Sequence, residues 1–247
     1  MKNGAGFTES IVHARLQNYA YRTSMGMIPS AEFTVRMDDF LLPVASNLPQ
    51  GWTAAIIDTG ATTTVSTTAG SLGATGCLLI ASDGTTEGAA FYGDKQIQLT
   101  AGKRFFMEMR AQTSLAATTD LQFGLSSINA TTNPEDLWTT ASTDLVAFGV
   151  LNGSAYATML ADLSNSGSTA EVGTIALTDA TWCTLGIGWD GYALQGYVDG
   201  TLALTWSQAV ATTVPTGVAL APFAGFRTGT AAGNIGTIDY IRFVIER

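Results

Sequence analysis

The segment WDGYALQGYVDGTLALTW, residues 189–206, decides the fold class because it holds two Asp-Gly pairs nine positions apart between short apolar runs. Asx-Gly dipeptides accept the positive φ angles that two-residue type I′ hairpin turns require. We therefore expect Asp190-Gly191 and Asp199-Gly200 to be turns that join three successive strands within residues 182–206. The segment predicts a three-stranded antiparallel meander, in which both aspartates shape the backbone.

The rest of the chain after residue 38 repeats this pattern, with apolar runs of period two between clusters of Gly, Asn, Asp, Ser and Thr. Asn152-Gly153 is expected to be a third hairpin turn of the same kind. The pattern predicts an all-β antiparallel sandwich or barrel. Its expected strands are 54–58, 62–68, 77–81, 96–100, 104–113, 121–126, 145–151, 155–161, 171–177, 182–189, 192–198, 201–206, 218–226 and 237–246.

Residues 1–37 differ from this pattern and are expected to form an N-terminal arm before a sandwich domain at 38–247. Residues 8–22 have helical spacing of apolar side chains, so they predict a short helix within an otherwise extended arm. Disordered tails seldom contain so many large apolar groups, which favours an arm that contacts a protein surface. The predicted contact residues are Phe7, Arg15, Tyr19, Tyr21, Arg22, Met25, Met27 and Phe33.

Charge and composition limit the partners. Four basic and two acidic residues give the arm a charge of +2, so the net charge of −9 leaves −11 for the remaining 210 residues. An acidic body repels phosphate backbones, which argues against nucleic acid as a partner. No apolar run has the length of a membrane span, and no secretory signal is recognisable, so we expect folding in a cytoplasm. Cys77 and Cys183 lie in apolar strand-like runs and are expected to be buried free thiols.

The search for catalytic and ligand-binding residues yields few candidates. A retaining glycosidase needs two carboxylates close together on one face, and the best strand, RFFMEMRAQ, offers only Glu108. The single histidine, His13, lies in the arm, which leaves no base for a nucleophilic site and too few ligands for zinc. Aspartates at loop tips could bind calcium, but the glycines beside them favour turn roles. These residues predict neither enzymatic activity nor a cofactor or metal, and Trp138, in a polar loop, is the best candidate for an exposed glycan contact.

The order of FFMEMRAQ, LQFGLSS, WCTLGIGWDGYALQGYVDGTLALT, PFAGFRTGTA and IDYIRFVIE resembles the concanavalin A-like, laminin-G-like jelly rolls, particularly those of tailed-bacteriophage virion proteins. The resemblance covers roughly residues 38–247 and concerns pattern rather than a diagnostic motif. It implies a jelly-roll sandwich of two antiparallel sheets with about six or seven strands each. Because this fold occurs in lectins, hydrolases and structural modules alike, the resemblance does not imply an activity.

Two functions from different classes follow. The first is a non-enzymatic capsid decoration protein on the outer surface of a phage capsid, assembled in the host cytoplasm. Its arm would contact the major capsid protein or other virion proteins, and we expect a homo-oligomer, either a trimer or a dimer. The alternative is a carbohydrate-binding module on a phage fibre, tail or surface appendage, with Trp138 on the glycan.

Overall fold

A computed structural model describes residues 33–38, 52–57, 62–66, 77–94, 97–127, 144–163 and 169–246. The described part of the chain contains fifteen β-strands, a 3-10 turn at Ala116–Thr118 and one short helix, α1, at Val210–Thr213. The strands form two antiparallel sheets that pack face to face, so the prediction of a two-sheet antiparallel sandwich is confirmed.

The first sheet has eight strands. Its path runs β13-β12-β11-β6-β15-β4-β3, and β1 pairs with β15 beside this path. The long strand β15 has β4 opposite its first residues and β1 opposite its last residues, while β6 follows its other edge. The strands are β1 (Phe33–Asp38), β3 (Thr62–Ser66), β4 (Cys77–Ala81), β6 (Phe105–Thr113), β11 (Cys183–Trp189), β12 (Leu194–Val198), β13 (Thr201–Thr205) and β15 (Ile235–Glu246).

The second sheet has seven strands in the order β10-β9-β8-β7-β14-β5-β2. Strand β7 lies at its centre, between β8 and β14. The strands are β2 (Thr53–Ile57), β5 (Gly88–Tyr92), β7 (Thr119–Ser126), β8 (Leu145–Leu151), β9 (Ser154–Asp162), β10 (Thr169–Ala176) and β14 (Ala221–Thr228).

The core lies between the sheets and follows from the alternation of side chains along each strand. On β11, Cys183, Leu185, Ile187 and Trp189 all enter this core, as the sequence predicts. Buried aromatic and aliphatic side chains from both sheets make it contiguous, and Cys183 and Cys77 are buried free thiols within the structure. Burial raises the pKa of the Cys183 thiol to about 12, which keeps this thiol protonated and unreactive at neutral pH.

The meander of the eight-stranded sheet has two different connections. Asp199 and Gly200 join β12 to β13 with φ angles of 49° and 78°, the positive values that a type I′ turn needs. The connection at Asp190 is longer than the predicted two-residue turn, because β12 begins only at Leu194. The Asp190 carboxylate accepts hydrogen bonds from the backbone amides of residues 192 and 193, both at 2.8 Å, and this holds a four-residue loop. In both cases the aspartate shapes the backbone.

Three strand predictions need correction. Residues 33–37, which the sequence places in the arm, belong to β1, and β5 is not predicted at all. The expected strand at 96–100 makes only isolated bridges, from Ile97 and Leu99. The first three residues of β5, Gly88–Ala90, have low strand propensity, so pairing with β14 and β2 decides their conformation.

Within the described residues no helix is long and apolar enough to cross a membrane. The predicted helix at 8–22 lies outside the described residues, and so do the arm contacts Phe7, Arg15, Tyr19, Tyr21, Arg22, Met25 and Met27.

Candidate functional site

The outer face of the seven-stranded sheet, turned away from the eight-stranded sheet, carries the candidate site. On β7, Leu121, Phe123 and Leu125 point into the core, so Gln122 and its alternate neighbours point outward. Side chains on an outer face are normally solvated and polar. Here the whole of β7 is buried, and a second hydrophobic cluster covers this face with residues Ala55, Ala90, Tyr92, Leu145, Ala147, Leu160 and Phe223.

Strand register places one residue from each strand in a line across this face, with Gln122 in the middle. Gly225 of β14 is opposite Gln122 on one side, and Gly149 of β8 is opposite on the other. We call the line the Gln122 row, and it consists of Ala55, Ala90, Gly225, Gln122, Gly149, Thr158 and Val172. Four of its seven members are glycine or alanine, so the row has little side-chain volume along most of its length, and every member except Val172 is buried.

The Gln122 amide is buried without a hydrogen bond. Gln122 is 1% exposed, and among the residues that the structure describes neither its Oε1 nor its Nε2 has a hydrogen-bond partner. An unsatisfied buried polar group costs about 1–3 kcal/mol of folding free energy. A side chain that carries two such groups at the centre of a sheet needs an explanation beyond packing.

The glycine beside Gln122 is required by the sheet itself. A Cβ at position 149 would overlap the carbonyl oxygen of Leu121, and a Cβ at Gly124 would overlap that of Val146. Both obstacles are backbone atoms of the adjacent strand, so they cannot move without breaking the ladder. No side chain from position 149 can therefore fill the space next to the Gln122 amide. The sequence gives only a weak signal of this close contact. A glycine inside a predicted strand indicates that another backbone approaches closely, but it does not show which strand that is.

Larger side chains lie on both sides of the Gln122 row. On one side, Tyr92 and Phe223 pair with ring centroids 6.3 Å apart and planes tilted by 31°. On the other side, Arg227 lies opposite Asp120. Toward the β10 edge, Tyr156 is 49% exposed and Val172 is 63% exposed, so this end of the row faces solvent.

The Asp120–Arg227 ion pair is the main electrostatic feature of this face. The Arg227 Nε and Nη2 atoms donate to Asp120 Oδ2 at 3.0 and 2.8 Å, and the backbone N–H of Asn152 donates to Oδ1 at 2.8 Å. Burial raises the pKa of Asp120, and this desolvation outweighs the hydrogen bond from Asn152 and the attraction of Arg227, which both lower it. Both oxygens of the Asp120 carboxylate therefore already accept hydrogen bonds from the protein.

The second carboxylate on this face, Asp162, lies far from Asp120. Asp162 is in register with Leu145, and Leu145 with Ser126, six positions along β7 from Asp120. At about 3.3 Å per residue the two carboxylates are some 20 Å apart, beyond the roughly 5–10 Å of paired glycosidase carboxylates. These two aspartates therefore do not form such a pair. Among the described residues no group of three or more His, Cys, Asp or Glu side chains could hold a metal ion.

Glu108, the glycosidase candidate of the sequence, lies on the outer face of the other sheet. It is 0% exposed, pairs with Arg242 Nη2 at 2.8 Å, and accepts a hydrogen bond from the Tyr240 hydroxyl at 2.6 Å. Arg110, two positions along β6 on the same face, binds Asp239 and stacks on the Trp182 ring at 4.6 Å. Glu108 is therefore paired with side chains of the adjacent strand β15 in a buried setting.

The remaining predicted site residues do not meet at the Gln122 row. Trp138 lies outside the described residues. Asn152 and Gly153 connect β8 to β9, and only Gly153 has a positive φ, of 99°. The backbone N–H of Asn152 nevertheless contacts the site, because it donates a hydrogen bond to the Asp120 carboxylate.

Comparison with solved structures identifies the architecture. The carbohydrate recognition domain of Emp47p matches with a TM-score of 0.60 at 11% identity, over 88% of this chain and 98% of that domain. Arcelin-5, a lectin-like defense protein from Phaseolus vulgaris, matches with a TM-score of 0.58 at 11% identity, over 87% of this chain and 99% of that one. The fold is concanavalin A-like. A scan against protein-family models and a search of curated proteins find no match.

Enzymes share this concanavalin A-like fold as well. The laminarinase catalytic domain from Thermotoga maritima matches with a TM-score of 0.53 at 16% identity, over 87% of this chain and 99% of that one. Two further matching structures are a glycosidic hydrolase and a glycosyl hydrolase family protein, and another is the Crh5 transglycosylase. The prediction that this chain is not an enzyme is therefore wrong as it stands, because it depended on a missing motif while chains of the same fold are catalytic. The comparisons give no support to the capsid-decoration part of the prediction and fit the carbohydrate alternative better.

Proposed function

We propose that this concanavalin A-like chain binds carbohydrate along the Gln122 row. The observation that carries the proposal is the buried Gln122 amide, whose donor and acceptor both lack partners among the described residues. A ligand hydroxyl supplies both a donor and an acceptor, so it can satisfy the amide that the fold leaves open. The lectin-like and laminarinase structures of the same fold support this ligand class.

The shape of the face also suits a sugar. Carbohydrate rings have apolar faces and polar edges, so they fit sites that combine a flat floor, an exposed aromatic ring and a few fixed hydrogen-bonding groups. Gly225 and Gly149 place no side chains beside Gln122, and Tyr156 is an exposed aromatic ring toward the β10 edge of the same face. Thr158 lies in the row between Gly149 and Val172.

The test is binding to a panel of soluble polysaccharides and oligosaccharides, measured by calorimetry and affinity electrophoresis. We expect Gln122→Met, which keeps the side-chain length but removes the amide, to weaken binding at least 10-fold, since a buried hydrogen bond to a ligand hydroxyl is lost. Gln112→Met is the matched control, because Gln112 is also buried but lies on β6 of the other sheet. Equal binding by wild type and Gln122→Met would refute the site.

Released reducing ends are measured in the same incubations, because catalytic chains share this fold. Turnover would make the bound chain a substrate as well as a ligand. The Trp138→Ala variant is included because the sequence predicts this residue as a glycan contact. Loss of binding in Trp138→Ala with full binding in Gln122→Met would refute the Gln122 site and favour Trp138 as the glycan contact.

The location of the protein stays a prediction from the sequence resemblance. A phage fibre, tail or capsid surface is the proposed place, and imaging particles with and without the protein tests it. Deletion of residues 1–32, which spares β1, tests whether the arm attaches the protein to particles, and full occupancy by the shortened chain would contradict that role.

A further inference from the structure

We infer that the Gln122 row selects an uncharged polysaccharide and discriminates against chains that carry carboxylate or sulfate groups. The inference rests on the proposed carbohydrate function and deepens it by naming the ligand class. Three independent features of the face lead to it: the chemistry of the central amide, the charges of the strands and the state of the one arginine.

The Gln122 amide matches a hydroxyl better than an anion. The amide offers an N–H₂ donor and a carbonyl acceptor, and both are buried without partners among the described residues. A hydroxyl can accept from the first and donate to the second, whereas a carboxylate or sulfate can only accept. An anion at this position would leave Gln122 Oε1 buried and unsatisfied beside another acceptor.

The charges of the face oppose an anion. Within the strands of the seven-stranded sheet, Arg227 is the single lysine or arginine, while Asp120 and Asp162 both point to the outer face. Asp120 is two residues from Gln122 on the same strand, so their Cα atoms are about 7 Å apart. An anionic group next to Gln122 would therefore lie near a buried carboxylate, where like charges repel strongly because water is excluded.

The one arginine cannot offset this repulsion. Arg227 uses Nε and Nη2 on Asp120, with both bonds at 3.0 Å or shorter. Both groups donate to the same carboxylate oxygen, Oδ2, and a guanidinium held in this ion pair has little capacity for a second anion without losing the first. The Asp120–Arg227 pair therefore has no net charge to attract an anion, and it lies as a polar group beside the Gln122 row.

The experiment compares matched chains: a neutral oligosaccharide that binds and the same oligosaccharide after partial sulfation. We expect wild-type protein to bind the neutral chain at least 10-fold more tightly, and the difference to change little with salt, because a buried repulsion is screened only weakly. In Asp120→Asn the Arg227 charge loses its Asp120 counterion and the like-charged carboxylate is removed, so the ratio of sulfated to neutral affinity should rise about 10-fold or more.

Asp239→Asn is the matched control, since Asp239 makes the equivalent ion pair with Arg110 on the other sheet and should leave the ratio unchanged. The wild-type comparison of neutral and sulfated chains needs no variant and so remains decisive if Asp120→Asn does not fold. Equal or tighter binding of the sulfated chain by wild type would overturn the inference but leave the carbohydrate function standing. Absence of binding to every neutral and charged chain would refute the proposed function and the inference with it.

Discussion

Replacement of Gln122 by methionine should stabilise the protein while it weakens ligand binding. Gln122→Met removes two buried polar groups without hydrogen-bond partners and puts a flexible apolar side chain of similar length in their place. Each unsatisfied group costs about 1–3 kcal/mol, and imperfect packing of the new side chain offsets part of the gain. We expect the free energy of unfolding to rise by about 1–3 kcal/mol, which for a chain of this length raises Tm by roughly 2–12 °C.

The assay is urea unfolding followed by tryptophan fluorescence, with thermal unfolding by circular dichroism as a second measurement. Gln112→Met is again the control, and since Gln112 has a partner its replacement should lower the free energy of unfolding by about 1 kcal/mol. If Gln122→Met lowered this free energy by 1 kcal/mol or more, the amide would have a partner in the folded state. The reasoning that reserves it for a ligand would then be wrong.

Three further predictions concern stability. Gly200→Val should lower the free energy of unfolding by about 1–3 kcal/mol, because Gly200 has a φ of 78°, which a β-branched residue adopts only with strain. Asp199→Asn should change this free energy by less than about 0.5 kcal/mol, since asparagine tolerates the same φ and can accept the same hydrogen bond. Urea unfolding of both variants tests the two values. Glu108→Gln should cost about 3–5 kcal/mol, because it leaves the Arg242 charge buried without its counterion, and a cost below 1 kcal/mol in urea unfolding would contradict the buried pair. The raised pKa of Asp120 favours folding below its unfolded value of 3.8, and this contribution is lost as pH rises through the folded pKa. Asp120→Asn should therefore remove part of the wild-type decline in unfolding free energy above pH 4, and identical pH profiles would show that the carboxylate is not desolvated.

On this fold, the carboxylates of a single strand do not decide whether a chain is an enzyme. Glu108 is the one carboxylate that its strand offered, and the structure commits it to Arg242 and Tyr240 on the face opposite to the Gln122 row. The comparisons nevertheless place catalytic chains in the same fold at 16–17% identity. Since such identity supports the fold alone, activity on a bound glycan has to be measured on this chain.

Local sequence determined most of the strands and the hairpin turns, because alternation of apolar residues and Asx-Gly pairs act over a few residues. Asp199-Gly200 illustrates this, since both positive φ angles belong to residue types that tolerate them. The same signals failed at β5, where glycine and alanine have little strand propensity and two neighbouring strands impose the conformation.

Only the tertiary structure decided where the candidate site lies. In the sequence, Gln122 is an ordinary polar residue of LQFGLSS, and Gly149 and Gly225 are distant glycines in other apolar runs. Strand register brings the three together in one row, and burial then leaves the amide without partners. Register depends on contacts between residues that are far apart along the chain, so composition and spacing within a single strand could not reveal this site.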